Sequence, residues 1–343
     1  MFYKSFLKPF LFKKDAETAH EMAISLSKTT SESAFLRSAA KLAYGFNHSS
    51  LKRQYWDLEF SNPIGLAAGF DKNGDTPLAM QALGFGFVEI GSITAKPSTG
   101  NPKPRAFRLP QDRSLINRMG LNNVGAKQVV DVLSKIKLNI PLGVNIAKTN
   151  DSSIHGDAAV QDYLFSYDLA NQVADYITIN ISCPNTGEGK TFEDPIALEE
   201  LLSVLELSKK NRVPSLVKFS VDTDKATLEE LIEICEKHSV AGYVATNTSS
   251  LRDNLSTDEK TLSEIGGGGL SGRAIAEKST TMIRWIYEMI GDKKPIVGVG
   301  GIDSVESALE KIDAGASLLQ IYTGLVYEGP GLLKGIKKSL ITQ

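Results

Sequence analysis

The chain has 343 residues, 42% of them hydrophobic, and a formal net charge of −2 at pH 7. That is enough apolar material for one large core or two ordinary ones. The near-balanced charge excludes a nucleic-acid binder that works through a basic surface. Two cysteines, Cys183 and Cys235, make neither a disulfide framework nor a zinc cluster. The four histidines are scattered, so no metal site is predicted. No apolar run reaches the roughly 18 residues of a membrane span. No cleavable leader is apparent, because Lys13, Lys14 and Asp15 follow the first apolar cluster without small residues. The default compartment is reducing and cytosolic.

Residues 1–50 differ from the rest. Met1 to Phe12 set Phe2, Tyr3, Phe6, Leu7, Phe10, Leu11 and Phe12 among lysines. Asp15 to Lys28 and Ser31 to Phe46 then read as two short helices with apolar positions three and four apart. Two such helices either cover a neighbour or leave an apolar face for a membrane surface or a ligand. From Asn62 an alternation of strands and helices begins. The predicted strands are Pro63–Ala67, Phe87–Gly91, Leu142–Ala147, Tyr176–Ile181, Ser215–Phe219, Gly242–Thr246, Ile296–Gly300 and Leu318–Tyr322. The predicted helices are Thr76–Leu83, Val124–Lys137, Asp157–Ala174, Ile196–Asn211, Leu228–His238, Thr280–Ile290 and Ser304–Ala314. Cys235 falls on the fifth of these as buried packing. An insertion after the second strand carries a strand-like AFRL and a loop, INRMGLNN.

Eight short, almost wholly apolar strands separated by helices indicate parallel strands buried on both faces. Eight units in about 280 residues predict a (β/α)8 barrel over 51–343 with a small N-terminal helical extension over 1–50. A doubly wound open sheet is the alternative, and the missing GxGxxG after the first strand speaks against it.

Barrel chemistry sits at the C-terminal strand ends. Read in order, those ends offer Ala68, Gly69, Asp71, Lys72 and Asn73; Ser92; Asn145 and Lys148; Asn180, Ser182, Cys183 and Asn185; Lys218; Thr246, Asn247 and Thr248; Gly300 and Gly301; and Tyr322, Thr323 and Gly324. The inserted loop adds Asn117, Asn122 and Asn123. Buried polar groups cost a few kcal/mol each unless paired, so a polar ligand is predicted in the mouth. GVGG followed one strand later by YTG fits a phosphate cradle, although GVGG alone is only a tight turn. Lys72 and Lys218 are either solvated rim lysines or cations facing a planar, electron-rich ligand such as a flavin. The asparagines and threonines suit a second planar ligand such as a pyrimidine. Cys183 is the one side chain there able to take a proton near neutral pH.

The segments GLAAGFDKNG, GFGFVEIGSITAKPSTGNPKPRAFRL, INRMGLNN, NISCPNT, ATNT, GGLSG, PIVGVGGIDS and GASLLQIYTG resemble the dihydroorotate dehydrogenase family, from about His20 to the C-terminus. The N-terminal helices and KPRAFRL are similar to its membrane-associated, quinone-using class 2. The resemblance implies FMN, oxidation of dihydroorotate to orotate in pyrimidine synthesis, a membrane quinone as acceptor, and a place on the cytoplasmic side of the cell membrane. It implies no nucleic acid and no obligate protein subunit. It assigns flavin contacts to Ala68, Gly69, Ser92, Asn145, Asn180, Lys218, Thr246, Gly272, Gly301, Tyr322 and Thr323. Substrate contacts fall to Lys72, Asn117, Arg118, Met119, Gly120, Leu121, Asn180, Asn185, Asn247 and Thr248. The quinone tunnel falls to His20 and Arg108, and the base to Cys183. Three departures stand out: class 2 has serine where this chain has Cys183, the usual PGLR is replaced by GEGKTF, and Leu121 stands where phenylalanine is common. Cysteine accompanies fumarate- or NAD-using members, which leaves those acceptors as alternatives. Another flavin-barrel pyrimidine reductase and a non-catalytic phosphate-ligand barrel are the remaining readings.

Overall fold

The structure is a computed structural model and describes residues 3–182 and 192–342. Eight parallel strands close a barrel in chain order: β1 (Ile64–Leu66), β2 (Phe87–Ile93), β3 (Leu142–Ile146), β4 (Tyr176–Asn180), β5 (Ser215–Phe219), β6 (Gly242–Ala245), β7 (Ile296–Val299) and β8 (Leu318–Ile321). The apolar runs of the sequence become these strands because they are buried on both faces. Ile64, Leu66, Val144, Ile177, Val217 and Leu319 have no exposed surface.

Local chemistry sets the helix ends. The helix expected over Val124–Lys137 runs only Ala126–Leu133, starting after Gly125 at φ +88°. The one expected to reach Asn211 is Pro195–Leu205 and stops at Glu206, which is left-handed. The one expected from Leu228 begins at Lys225, because Asp224 accepts the Thr227 N–H and caps it. The one expected from Thr280 begins at Ala276.

A hairpin that the sequence did not signal, Arg53–Tyr55 with Leu58–Phe60, lies under the barrel. Its turn places Trp56 and Asp57 at positive φ without a glycine or asparagine. Trp56 Nε1 donates to the Ala241 carbonyl at 2.9 Å. Its ring lies 5.8 Å from that of Tyr176, and Phe60 lies 5.3 Å from Phe87. These rings fill the floor. Over the other end lies an antiparallel sheet of Ala106–Leu109, Ser114–Asn117 and Gly269–Gly272. The stretch expected as loop INRMGLNN thus begins as a strand.

The N-terminal helices α1 (Ala16–Glu32) and α2 (Ala34–Tyr44) share Ser33. That residue ends α1 and caps α2 by accepting the Leu36 N–H. Asp15 caps α1 through Thr18 N. Each cap contributes about 1 kcal/mol. A helical segment, Tyr3–Leu11, precedes them. Among the described residues no helix is long and apolar enough to cross a membrane.

Close approach at the floor is readily tested. An added Cβ at Gly143 would lie 2.2 Å from the Tyr176 ring. Gly143→Ala should therefore destabilise the protein by about 1–3 kcal/mol, seen as a lower denaturation midpoint. Unchanged stability would mean that the Tyr176 ring yields without cost.

Candidate active site

The strand ends and the N-terminal helices enclose one cavity of about 360 Å³. From the barrel it is lined by Ala68, Gly69, Lys72, Ser92, Asn180, Lys218, Thr246, Asn247, Thr248, Gly272, Gly301, Tyr322 and Thr323. From the roof it takes Asn117, Met119, Gly120, Leu121 and Arg108, and from α1 it takes Ala16, Ala19, His20 and Ala23. Residues spread over 300 positions of sequence thus face one space because the barrel brings every strand end to one rim.

Below the rim a hydrogen-bond network orients these groups. Glu89 on β2 has no exposed surface. Its carboxyl accepts from Asn145 Nδ2 at 2.9 Å, Gln320 Nε2 at 2.6 Å, Thr178 Oγ1 at 3.1 Å and Tyr176 OH at 3.2 Å. Burial, with the Glu89 charge second, holds the Tyr176 phenol well above its ordinary pKa, so it stays a donor. With Asn145 Nδ2 committed to Glu89, its Oδ1 is left for Ser92 Oγ. Asn180 Nδ2 then donates to Ser92 Oγ at 3.2 Å, and Asn247 Nδ2 donates to Asn180 Oδ1 at 3.2 Å. Asn145 is therefore a support beneath the rim and does not line the cavity.

Lys72 Nζ donates to the Gly69 carbonyl at 2.9 Å. Burial lowers its pKa to about 8; Asp71 opposes that shift, Arg105 adds to it, and Glu17 again opposes. Lys218 is buried on β5. His20 packs edge-on to Phe70 at 5.3 Å and lies 6.0 Å from the Tyr322 ring. Burial, reinforced by Lys72, pushes the imidazole down to about 3 despite a hydrogen bond at Phe70, so it is neutral. Arg108 donates to the Leu11 and Lys14 carbonyls and lies 4.7 Å over the Phe12 ring.

Other sequence candidates stand elsewhere. Arg118 points out of the cavity, donates to the carbonyls of Ile265, Gly267 and Pro104, and stacks on Phe107. Asp71 accepts four backbone N–H groups and the Thr76 hydroxyl, bracing the β1 loop. Lys148 donates to Asp151 and Ile154 carbonyls. Cys183 and Asn185 lie outside the described residues, as does most of GEGKTF. The sequence reading passed over Glu89 and Gln320. Their signal in the sequence is a polar residue inside an otherwise apolar strand.

The glycine-lined end of this cavity, beside a helix start, fits a ligand that carries an anionic group. Gly300 and Gly301 are at φ +116° and +76°, and a Cβ on Gly301 would lie 2.4 Å from Ala276 at the start of a long helix. Gln320 lines the cavity, and its Oε1 has no hydrogen-bond partner among the described residues.

Fold and rim together define a (β/α)8-barrel enzyme with its site at the C-terminal mouth. A profile of the dihydroorotate dehydrogenase family matches residues 50–343, and the chain belongs to that family. A dihydroorotate dehydrogenase (quinone) of Synechococcus sp. (strain JA-2-3B'a(2-13)) is 43% identical over 321 residues, 88% of this chain and 83% of its own length. One from Christiangramia forsetii is 39% identical over 342 residues, 99% of this chain and 98% of its own. Among solved structures, Eimeria tenella DHODH in complex with ferulenol superposes with a TM-score of 0.82 at 31% identity, covering 96% of this chain and 91% of that one.

Removing Glu89 would orphan four buried donors. Glu89→Ala should cost about 3 kcal/mol or more, measured by denaturant unfolding. A loss below about 1 kcal/mol would mean that those donors find other partners.

Proposed function

We propose that the protein oxidises (S)-dihydroorotate to orotate in pyrimidine synthesis, with FMN as its flavin and a membrane quinone as electron acceptor. The family is flavin-dependent. The observation that carries the reading is the continuity of the cavity. One space is lined both by Lys72, Lys218, Asn180 and Asn247, groups suited to a pyrimidine carboxylate, and by Ala16, Ala19, His20 and Ala23 of α1. A polar substrate and an apolar acceptor can therefore be served by one space.

In this reading Gly301, Gly272 and Thr323 hold the phosphate, while Ala68, Gly69, Ser92, Asn180, Lys218, Thr246 and Tyr322 hold the ring, with Asn145 fixing Ser92 from below. A flavin held by these residues would supply a two-electron acceptor for the C6 hydride and a relay to the quinone. Lys218 supplies fixed positive charge beside the ring. Lys72, Asn117 to Leu121, Asn180, Asn185, Asn247 and Thr248 hold the substrate, Arg118 contributing through its backbone. Cys183 removes the C5 proton. His20 and Arg108 border the acceptor. Residues 1–50 form an acceptor-binding extension to the barrel of 51–343. Phe6, Phe10, Leu26, Phe35 and Leu42, all more than half exposed, are the face that rests on the membrane from its cytoplasmic side.

Anaerobic dihydroorotate should bleach a yellow protein, and a quinone should restore the colour where fumarate and NAD do not. Restoration by fumarate or NAD alone would overturn the acceptor, and a colourless protein would overturn the cofactor. Cys183→Ala should lose about a hundredfold or more in flavin reduction while still binding orotate. A near wild-type rate in that variant would remove Cys183 from the chemistry.

Lys72 makes substrate binding depend on pH. Its pKa of about 8 means that it is charged below that pH and neutral above. Orotate affinity should hold level on the acid side and fall as pH rises through about 8. Lys72→Met should bind weakly with no such fall, and an identical fall in that variant would assign the titration to another group.

A further inference from the structure

We infer that Arg105 and Glu17 form a positioning pair through which α1 holds the substrate loop, so that the helix bordering the acceptor end also sets affinity at the pyrimidine end. This rests on the functional reading above, which puts the substrate against Asn117 to Leu121. Neither residue is among those the family resemblance assigned.

The pair joins residues 88 positions apart in sequence. Both side chains are below a tenth exposed, at 8% for Arg105 and 6% for Glu17. Arg105 donates to Glu17 Oε1 from Nε at 3.1 Å and from Nη2 at 2.9 Å. Its Nη1 donates to the carbonyls of Thr99 at 2.6 Å and Asn101 at 2.9 Å. One guanidinium thus ties a helix to a turn. That turn grips the loop directly. Asn101 N donates to the Met119 carbonyl at 3.1 Å, and Asn101 Nδ2 donates to the Arg118 carbonyl at 2.9 Å. Arg118 N donates back to the Arg105 carbonyl at 2.8 Å. Gly100 between them leaves no slack, since a Cβ there would lie 2.1 Å from the Met119 carbonyl oxygen.

Glu17 and His20 are three residues apart on α1 and share one face. Both line the cavity. A displacement of α1 at the acceptor end therefore moves the carboxylate that Arg105 reads. A buried pair of this kind is a poor source of net stability, because desolvation cancels most of the attraction. Its fork geometry instead fixes one orientation of the 99–101 turn. A lysine at 105 could not hold the carboxylate and both carbonyls at once.

The test is orotate affinity in the flavin-loaded full chain, read from the flavin absorbance change, with the melting temperature alongside. Arg105→Lys and Glu17→Gln should each weaken orotate by at least about fivefold, although Glu17 touches no part of the loop. The double variant should be no weaker than the worse single one, because both remove the same linkage. Ser31→Ala, which cuts the contact between Ser31 Oγ and Ala79 N that docks the helices elsewhere, should lower the melting temperature and leave orotate affinity unchanged. Glu17→Asp keeps the charge but not the reach, and gives the same reading should Glu17→Gln fold poorly. Wild-type orotate affinity in the Glu17 variants, or additive losses in the double variant, would overturn the proposal and leave a purely structural ion pair. A wild-type protein that reduces its flavin with dihydroorotate yet responds identically in all variants rejects only the coupling. A flavin-loaded wild-type protein that binds no orotate rejects the functional reading and the coupling with it.

Discussion

Four donors converge on the Glu89 carboxyl in the middle of the barrel, and the orientation of the rim follows from that convergence. An asparagine amide can be placed either way round, and the choice decides whether it offers a donor or an acceptor. Asn145 gives its nitrogen to Glu89, which turns its oxygen toward Ser92. Ser92, Asn180 and Asn247 are then fixed in turn by what each neighbour has left to offer. The network spans β2, β3, β4, β6 and β8, which no local sequence preference could align. A buried polar network of this kind, here satisfied on every donor to Glu89, rigidifies the groups above it, whereas a missing Glu89 would leave several buried atoms unpaired.

The barrel strands were legible in the sequence because each is a short apolar run between turn signals, and burial on both faces allows little else. The rim was legible for the related reason that polar residues ending apolar strands have few structural uses. The floor hairpin was not legible. Its turn is Trp56–Asp57, and its left-handed conformations are held by tertiary contacts of Trp56 and not by turn chemistry. Arg118 shows the converse limit: the motif gives its position in the loop, yet its side chain goes to carbonyls of a segment about 150 residues away. The Arg105–Glu17 pair was invisible for the same reason. Each residue alone reads as an ordinary charge on a helix or a loop, and only the fold shows that the two are buried against each other.

Charged pairs in this protein differ greatly in what they can do. Lys52–Glu59 on the surface, with both side chains more than half exposed, is worth about 0–1 kcal/mol. Arg105–Glu17 is largely buried; burial raises the Glu17 pKa, but Arg105 and the exposed Lys103, through hydrogen bonds and charge together, hold its carboxyl below the ordinary range. Lys311 has no exposed surface and is held by the hydroxyls of Ser279 and Thr280 beside the helix that backs Gly301. Burial brings it down to about 7, Glu310 opposing, which lets the barrel wall keep a lysine without a carboxylate at contact distance among the described residues. The number of charges is therefore a weaker guide to this molecule than the depth at which each one sits.

The ring plug of Trp56, Phe60, Phe87 and Tyr176 also governs how strongly charges act at the opposite end. The rings pack the floor with aromatic carbon, and the buried lysines of the rim above it act in a medium poorer in water than bulk. The same pair of charges interacts several times more strongly at an effective dielectric near about 20 than in bulk water. Burial of Lys72 in the mouth lowers its pKa to about 8 in place of 10.5. The hairpin at residues 53–60, which touches no ligand in this reading, is thus part of the low-dielectric packing beneath the mouth.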